Sequence, residues 1–445
     1  MDITKREAQT VLNALAAGVV PRSGLRHIAV GRLREVASLR QDLEHIGTGG
    51  AAMRLIIGRY GSGKSFLLQL IRNYALESHF VVADADFSPE RRLYGSSDEG
   101  LALYRELMRN LAVQTRPDGN ALPTLIEKWI SAVQVQVVNE EHVQPGDEHF
   151  EEAIQARILR TMGEMQEVVH GFDFGMVLSA YFEGYMKGDD HLKAEAIRWL
   201  RGEFNTRSEA YSELKVHSII DSDNYYDYLK AMARFVRQIG YSGLLVCLDE
   251  AAYLYKISNS ISRKNNYEMI LAILNDCLQG KAGGIGFLLS GTPEFLEDER
   301  RGLFSYEALR SRLAGNRFAT AELQDFSGPV ITLTALSNEE IFVLLQKIRE
   351  LYTDGLGMPV ALDDAAIQAF MQDSLRRVGA SEFSTPRELI RDYVSLLNLM
   401  AQYPEKSWEE ISGMLSAEGE KTPSAAEQPS EESSEFERFG RFRVS

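Results

Sequence analysis

The residues that most clearly indicate a chemical function form one glycine-rich run, Gly58-Arg59-Tyr60-Gly61-Ser62-Gly63-Lys64-Ser65. The run fits the pattern G-x-x-x-x-G-K-[ST], in which backbone N–H groups and a helix N-terminus cradle phosphates. We expect Lys64 to contact the β- and γ-phosphates and the Ser65 hydroxyl to bind Mg²⁺. Gly58, Gly61 and Gly63 are expected to permit positive φ and close backbone approach. The pattern predicts a nucleotide-binding loop, with contacts from Gly58 to Phe66.

Two carboxylates follow the apolar run Leu244–Leu248, namely Asp249 and Glu250. Placing an acid at the end of a buried strand is unfavourable unless a cation or hydrogen bonds compensate. We expect Asp249 to bind Mg²⁺, directly or through water, and Glu250 to orient and deprotonate the attacking water. The acidic pair also indicates the branch of phosphate-loop NTPases that has an extra strand between the strand before the loop and the strand before the acids.

Hydroxyls follow a further apolar run, in Leu288-Leu289-Ser290-Gly291-Thr292-Pro293. Either Ser290 or Thr292 is a candidate to sense the γ-phosphate or to position the water. The alternative is ordinary turn chemistry, which Ser, Gly and Pro also favour.

Three arginines are candidates to stabilise charge on the transferred phosphate. Arg310 and Arg312 lie two residues apart on a predicted helix, so they point to different faces and at most one reaches a neighbouring subunit. Arg387, at the start of a later helix, is a candidate to close on the phosphates of its own chain. Upstream, Gly31 and Arg32 are candidates to line the adenine pocket, and a helix cap with a charged face is the equal alternative for them. Each arginine has the alternative of a solvated basic face.

The pattern of apolar residues predicts the strands and helices that position these candidate residues. Nearly continuous apolar runs are typical of parallel strands covered by helices on both faces. The predicted strands are Met53–Ile57, His79–Asp84, Gly243–Leu248, Ile285–Ser290 and Val330–Leu333. Alternation of strands with helices predicts an α/β fold with a doubly wound parallel sheet.

The domain prediction follows from the spacing of these runs. Residues 1–336 form the NTPase core, and 87–242, far longer than an ordinary crossover, form a mostly helical insert within it. Residues 337–416 are patterned as helices throughout and form a small lid. Residues 417–445 are rich in Ser, Glu and Pro and are predicted to be a disordered acidic tail.

Bulk composition limits the function classes. The net charge of −16 excludes a surface that is basic overall, so any DNA contact requires a local basic patch. No apolar run is long enough to span a bilayer, and the first ten residues lack a secretory pattern, so we expect a cytoplasmic protein that avoids membranes. Guanine recognition requires [NT]-K-x-D, and the nearest string, Met186-Lys187-Gly188-Asp189, lacks the first residue. ATP with Mg²⁺ is therefore the predicted ligand.

The order of these motifs is similar to that of AAA+ ATPases of the initiator type. More specific strings resemble the ATP-binding protein BrxD family of BREX phage-defence systems: Gly18-Val19-Val20-Pro21, Val30-Gly31-Arg32, Gly58 to Phe66, Asp86 to Leu93 and Ala196 to Glu203. The resemblance implies ATP binding and other phage-defence proteins as partners. In the initiator-type comparison, Ser311-Arg312-Leu313 best matches the arginine-finger string, which places Arg312 ahead of Arg310.

Two functional hypotheses follow. In the first, an AAA+-like ATPase, which acts as a homo-oligomer if a finger is shared, drives assembly or remodelling of a complex on DNA. In the second, ATP is a switch ligand with little turnover, and the chain is a nucleotide-gated adaptor that exposes a partner-binding surface. Glu250 favours the first, because a pure switch needs no water-activating acid. The long insert and the acidic tail suit the second.

Overall fold

The computed structural model describes residues 3–164, 171–320, 324–377 and 386–411. The predicted tail, 417–445, and the last residues of the predicted lid lie outside these ranges. No helix in the described ranges has the length and apolarity needed to cross a membrane.

Five parallel strands form one sheet in the order β2-β3-β4-β1-β5. They are β1 (Ala51–Gly58), β2 (Val81–Asp86), β3 (Leu244–Asp249), β4 (Ile285–Gly291) and β5 (Val330–Leu333). Each overlaps a predicted strand, so the α/β class is confirmed. The position of β4 between β1 and β3 is the extra strand that the Asp249–Glu250 pair indicated.

The α-helices of the described ranges follow in chain order. They are α1 (Lys5–Ala16), α2 (Leu25–Ile28), α3 (Leu33–Gly47), α4 (Lys64–Glu77), α5 (Glu99–Arg109), α6 (Leu122–Gln136), α7 (Phe150–Glu164), α8 (Gly171–Lys187), α9 (Asp190–Leu200), α10 (Arg207–Leu214), α11 (Tyr225–Gln238), α12 (Ala252–Lys256), α13 (Ser260–Leu278), α14 (Pro293–Glu297), α15 (Glu307–Leu313), α16 (Asn338–Glu350), α17 (Asp364–Arg377) and α18 (Pro386–Gln402).

Both faces of the sheet are apolar. Along β1, Leu55 and Ile57 join one buried cluster, whereas Ile56 joins a second cluster with Leu68 of α4. Alternate residues of a strand point to opposite faces, so a strand covered on both sides has to be apolar throughout. This explains why the run at β1 shows no alternation of polar and apolar residues.

The segment between β2 and β3 contains α5 to α11. Its apolar residues belong to the same buried cluster as one face of the sheet. Trp129 and Phe174 both pack edge-on against Phe235 of α11, with ring centroids 5.8 Å apart in each pair. The insert therefore shares the hydrophobic core of the sheet.

A buried ion pair ties the helix after the glycine loop to this insert. Arg72 of α4, with its side chain 2% exposed, donates from Nε to Asp84 of β2 at 2.9 Å. Its Nη2 also donates to the Pro117 carbonyl at 2.6 Å. The guanidinium thus links α4 to β2 and to the segment that contains Pro117.

The C-terminal helices pack together with the N-terminus. Ser337 and Glu340 form a capping box at the start of α16, with bonds of 3.2 and 2.8 Å between side chain and backbone. Val11 of α1 is buried in the same cluster as Tyr393 and Leu397 of α18. Sequence reasoning missed this association, because α1 precedes the core in the chain and packs on helices that follow it.

Candidate nucleotide-binding site

The glycine loop joins β1 to α4, as the motif requires. Gly61 and Gly63 adopt φ of +82° and +88°, a conformation that favours glycine. Gly58 does not have a positive φ, and the prediction was wrong on this point. A Cβ at Gly58 would collide with the Ser62 hydroxyl, so glycine is needed there for space.

Lys64 lies at the first position of α4, with its ammonium against the loop. Its Nζ donates to the Gly58 carbonyl at 2.9 Å and to the Arg59 carbonyl at 3.1 Å. Burial lowers the pKa of Lys64 because it removes hydration from the charged form, while Asp249, Glu250 and Glu294 oppose this shift. A cation that is partly desolvated and held by neutral carbonyls is well placed to bind an anionic phosphate.

The acids after β3 are held in defined positions. Asp249 Oδ1 accepts hydrogen bonds from the Glu250 backbone N–H at 2.8 Å and from the Ser290 hydroxyl. Ser290 is fully buried near the end of β4, and its hydroxyl is directed at the Asp249 carboxylate. Glu250 adopts φ of +59°, an uncommon conformation for a residue with a side chain. Its side chain is exposed and faces the loop cavity.

Sequence reasoning missed a third carboxylate. Asp86 ends β2 directly opposite Asp249 in the parallel register. Its pKa is raised, first because the surrounding protein removes hydration and then because Asp249 and Glu250 repel its negative charge. The signal was available, since Asp86 follows a buried strand as Asp249 does. The three acids leave excess negative charge near Lys64.

Thr292 and Glu294 follow β4. The pKa of Glu294 is lowered mainly by its own backbone N–H, then by Thr292, with smaller attractions from Arg59 and Lys64. Of the two candidate hydroxyls, Ser290 thus bonds to Asp249, whereas Thr292 acts on the pKa of Glu294, a carboxylate that sequence reasoning had not considered.

A cavity separates the glycine loop from the C-terminal helices. Its apolar wall comes from the N-terminal segment and the lid, and its polar wall from the loop and Glu250; among the lining residues are Leu15, Val19, Pro21, Ile28, Tyr60 to Phe66, Leu344 and Ile390. Such a mixture of apolar surface with a few convergent polar groups is typical of small-ligand sites.

Arg32 lies at the edge of this cavity, and its predicted companion Gly31 is not among the lining residues. Arg32 bonds to Glu35 at 3.3 Å, to the Ser62 carbonyl at 3.1 Å and to the Thr334 carbonyl. Its guanidinium therefore braces the loop against the residue after β5. Gly31, at φ +71°, leaves room for the Glu340 carboxylate, which a Cβ there would strike.

The arginine candidates separate into two groups. Arg387 of α18 lines the cavity and donates from Nη1 to the Tyr60 hydroxyl at 3.1 Å. Arg310 and Arg312 of α15 are exposed and do not line it. Arg310 pairs with Glu299 at 2.8 Å, and Arg312 donates to Asn275 Oδ1 at 2.9 Å. Of these three candidates, Arg387 is the one that lines the cavity of its own chain.

The oxygen ligands near the glycine loop suit an Mg²⁺ ion that is bound partly by the protein and partly by a nucleotide. In the described ranges, no group of three or more His, Cys, Asp or Glu side chains converges to hold a metal ion. Mg²⁺ in nucleotide sites typically takes one or two protein ligands together with phosphate oxygens and waters. Asp249 and Ser65 meet that smaller requirement, and the crowding of Asp86, Asp249 and Glu250 is what a cation would relieve.

A family model described as BREX system ATP-binding protein BrxC/D matches residues 3–415. The chain belongs to the BrxC/D family. The match covers nearly the whole chain, so the resemblance stated from the sequence is confirmed, and the chain is an ATP-binding component of a phage-defence system. BREX membership also implies other proteins of the defence system as partners. No curated protein matches the chain.

Proposed function

We propose that this BrxC/D protein hydrolyses ATP with Mg²⁺ and that turnover drives assembly or remodelling of a protein complex on DNA. The observation that supports hydrolysis best is the placement of Glu250. It stands in a left-handed backbone conformation beside Asp249 and lines the same cavity as Lys64. Uncommon backbone conformations of this kind cluster at active sites.

In the proposed mechanism, each residue has a separate task. The loop amides and Lys64 hold the β- and γ-phosphates of ATP. Mg²⁺, held by Asp249 and the Ser65 hydroxyl, would neutralise charge on the phosphates. Ser290 keeps the Asp249 carboxylate oriented through the bond to Oδ1.

Glu250 is free of the hydrogen bonds that fix Asp249. Among the described residues, no hydrogen bond to its carboxylate is observed, and its backbone N–H is the group bonded to Asp249. The carboxylate is therefore available to accept a proton from water that attacks the γ-phosphate. Glu294, whose charge acts on Lys64, and the nearby Thr292 would orient that water.

The proposed fold, lid and assembly of the protein follow by analogy with AAA+ ATPases. The core is an initiator-type, doubly wound sheet, residues 337–416 act as its lid, and Arg32 borders the adenine end of the cavity. Arg312, or less favourably Arg310, completes the site of a neighbouring copy in a homo-oligomer, because both are exposed. The protein would act in the cytoplasm, where phage DNA is encountered.

One contact favours a second candidate, a nucleotide-gated adaptor. Arg387 connects a lid helix to Tyr60 of the loop, so ATP that displaces this contact would move the lid. In that case ATP binding alone would expose a partner-binding surface, with little turnover.

Steady-state ATPase assays with and without DNA distinguish the two. Glu250→Gln should keep ATP affinity and lose about 10²-fold or more in kcat, because an amide cannot accept the proton. Glu297→Gln, at an exposed acid of α14, is the matched control and should stay active. If Glu250→Gln is as active as the parent, or if the parent shows no turnover under any condition, the proposed hydrolysis mechanism is excluded. The nucleotide-gated adaptor is then the function that stands.

A further inference from the structure

A second concave site lies at the opposite end of the sheet from the ATP cavity. It is formed by the last turn of α11 and the loop between α13 and β4, and its lining residues are Arg234, Arg237, Gln238, Gly280, Lys281 and Gly283. The loop precedes β4, and Gly49 lies just before β1, so the pocket is at the amino ends of these strands. Because β1 has 8 residues, the pocket and the glycine loop lie roughly 25 Å apart at a rise of about 3.3 Å per residue.

Three cations in this pocket lack partners. Arg234 and Arg237 lie three residues apart on α11, so they share a helix face. Neither these two side chains nor Lys281 forms a hydrogen bond or an ion pair with any residue in the described part of the chain. The adjacent acid, Asp276, is already bound to Lys230 at 3.3 Å. In a chain of net charge −16, three uncompensated cations in one concavity are unexpected for a merely solvated surface.

The Arg237 side chain is also accommodated by the backbone around it. Gly49 and Gly284 both have positive φ, at +104° and +74°. A Cβ at Gly49 would lie 2.8 Å from Arg237 Nη1, and a Cβ at Gly284 would strike Arg237 Cδ. Two glycines therefore leave the space that the arginine occupies, and its side chain passes beside both of them while the residue stays exposed to solvent.

We propose that this pocket binds a phosphate group, carried by the backbone of a nucleic acid or by a free phosphate anion. A guanidinium offers paired N–H donors that match phosphate oxygens, and a phosphate offers several strong acceptors with up to two negative charges. Three positive charges exceed what a single carboxylate neutralises, which favours a doubly charged free phosphate or the successive singly charged phosphates of a nucleic-acid backbone over an acidic side chain. The site does not depend on ATP turnover, and it provides the local basic patch that an acidic protein needs to contact DNA.

Fluorescence anisotropy with labelled double-stranded DNA tests the nucleic-acid source on the full chain. The triple variant Arg234→Ala, Arg237→Ala, Lys281→Ala should lose at least tenfold in affinity. The slope of log K against log salt should fall by about 2 to 3, given about 0.9 per neutralised phosphate. The control Lys5→Ala, Arg207→Ala, Arg317→Ala removes the same charge from exposed positions elsewhere and should keep both the affinity and the slope.

Inorganic phosphate tests the other source. If DNA does not bind, phosphate should still raise the melting temperature of the parent and the control more than that of the pocket variant, with Lys64→Ala present in all three so that the glycine loop does not contribute. Lys281→Ala alone, in an exposed loop, serves as a second variant if the triple change impairs folding. It should lower the DNA affinity and the stabilisation by phosphate in the same direction, but by less than the triple variant. The proposal is overturned if pocket variant and parent respond equally to DNA and to phosphate. It is equally overturned if only an acidic peptide such as oligoglutamate distinguishes them.

Discussion

Arg387 of α18 and Tyr60 of the glycine loop are in direct contact across 327 residues of sequence. The guanidinium donates to the tyrosine hydroxyl at 3.1 Å, and its central carbon lies 5.7 Å from the ring centroid. The arginine stem also packs on Gly18, with Cγ and Cδ both 3.6 Å from where a Cβ would stand. The contact thus joins the lid, the loop and the N-terminal segment around the ATP cavity.

Arg387→Ala should weaken ATP binding and turnover. If the guanidinium turns from Tyr60 to the phosphates when ATP binds, its loss should reduce ATP affinity about tenfold, or ~1.4 kcal/mol. Tyr60→Phe removes only the hydroxyl and should change affinity less than twofold, which makes it the matched control. Titration with a fluorescent ATP analogue measures both, and equal affinity of Arg387→Ala and parent would assign the contact to lid packing alone.

The scaffold of the site was predictable because its signals are local. The run at β1, the glycine loop and the start of α4 are adjacent in sequence, and each requires a definite geometry. Asp249 after β3 was predictable for the same reason. The family match supports ATP binding in general, while the individual roles of Ser290, Thr292 and the arginines stay predictions.

Other parts of the site depend on contacts that are distant in sequence. That α1 packs on α18 is decided by which apolar faces remain to be covered, and periodicity does not specify the partner of a face. Asp86 gains its raised pKa only because β2 pairs with β3 across the whole insert. The role of Gly58 depended on the position of one hydroxyl, that of Ser62, which the motif does not give.

Asp86→Asn should raise stability at neutral pH. The folded chain holds the Asp86 proton to a higher pH than the unfolded chain does, because of lost hydration and repulsion from Asp249 and Glu250. Stability therefore falls as pH rises through the interval between the two pKa values, and the loss is complete above the folded pKa. Removing the charge avoids this loss.

The measurement is a melting temperature as a function of pH without nucleotide. Asp86→Asn should exceed the parent at pH 7.5, and the difference should vanish below the ordinary aspartate pKa of about 4. Asp190→Asn is the control with the opposite sign, because the hydrogen bond from Lys193 lowers the pKa of Asp190. A melting temperature of Asp86→Asn at or below that of the parent at every pH would contradict the proposed crowding of carboxylates.

Arg72→Met should destabilise the chain strongly. Its side chain is 2% exposed and that of Asp84 15%, so the substitution leaves a largely buried carboxylate without its cation. Breaking such a pair costs about 3–5 kcal/mol. Urea unfolding should show a lower midpoint for Arg72→Met and partial recovery in the double variant with Asp84→Asn. Lys187→Met, in an exposed pair with Glu183, should leave the midpoint nearly unchanged.

Arg312 decides whether the ATP site is shared between chains. Its guanidinium donates to Asn275 and to the Ala308 carbonyl on an exposed helix, away from the cavity of its own chain. If it completes the site of a neighbour, Arg312→Ala should bind ATP nearly normally, because its own glycine loop is intact. Turnover should fall steeply, since the lost cation acts on charge that develops in the transition state.

Complementation between two inactive variants separates a shared site from a local defect. Lys64→Ala lacks the phosphate-binding cation but retains Arg312, so a mixed assembly with Arg312→Ala contains some interfaces where an intact loop meets an intact arginine. Those mixtures should recover part of the ATPase activity that neither variant has alone.

The specific activity of the parent should also rise with protein concentration as subunits associate. Arg310→Ala breaks only the exposed pair with Glu299 and should behave as the parent in both assays. A monomer with concentration-independent turnover and a fully active Arg312→Ala would instead assign the stabilising cation to Arg387, because it is the candidate arginine that already lines the cavity of its own chain.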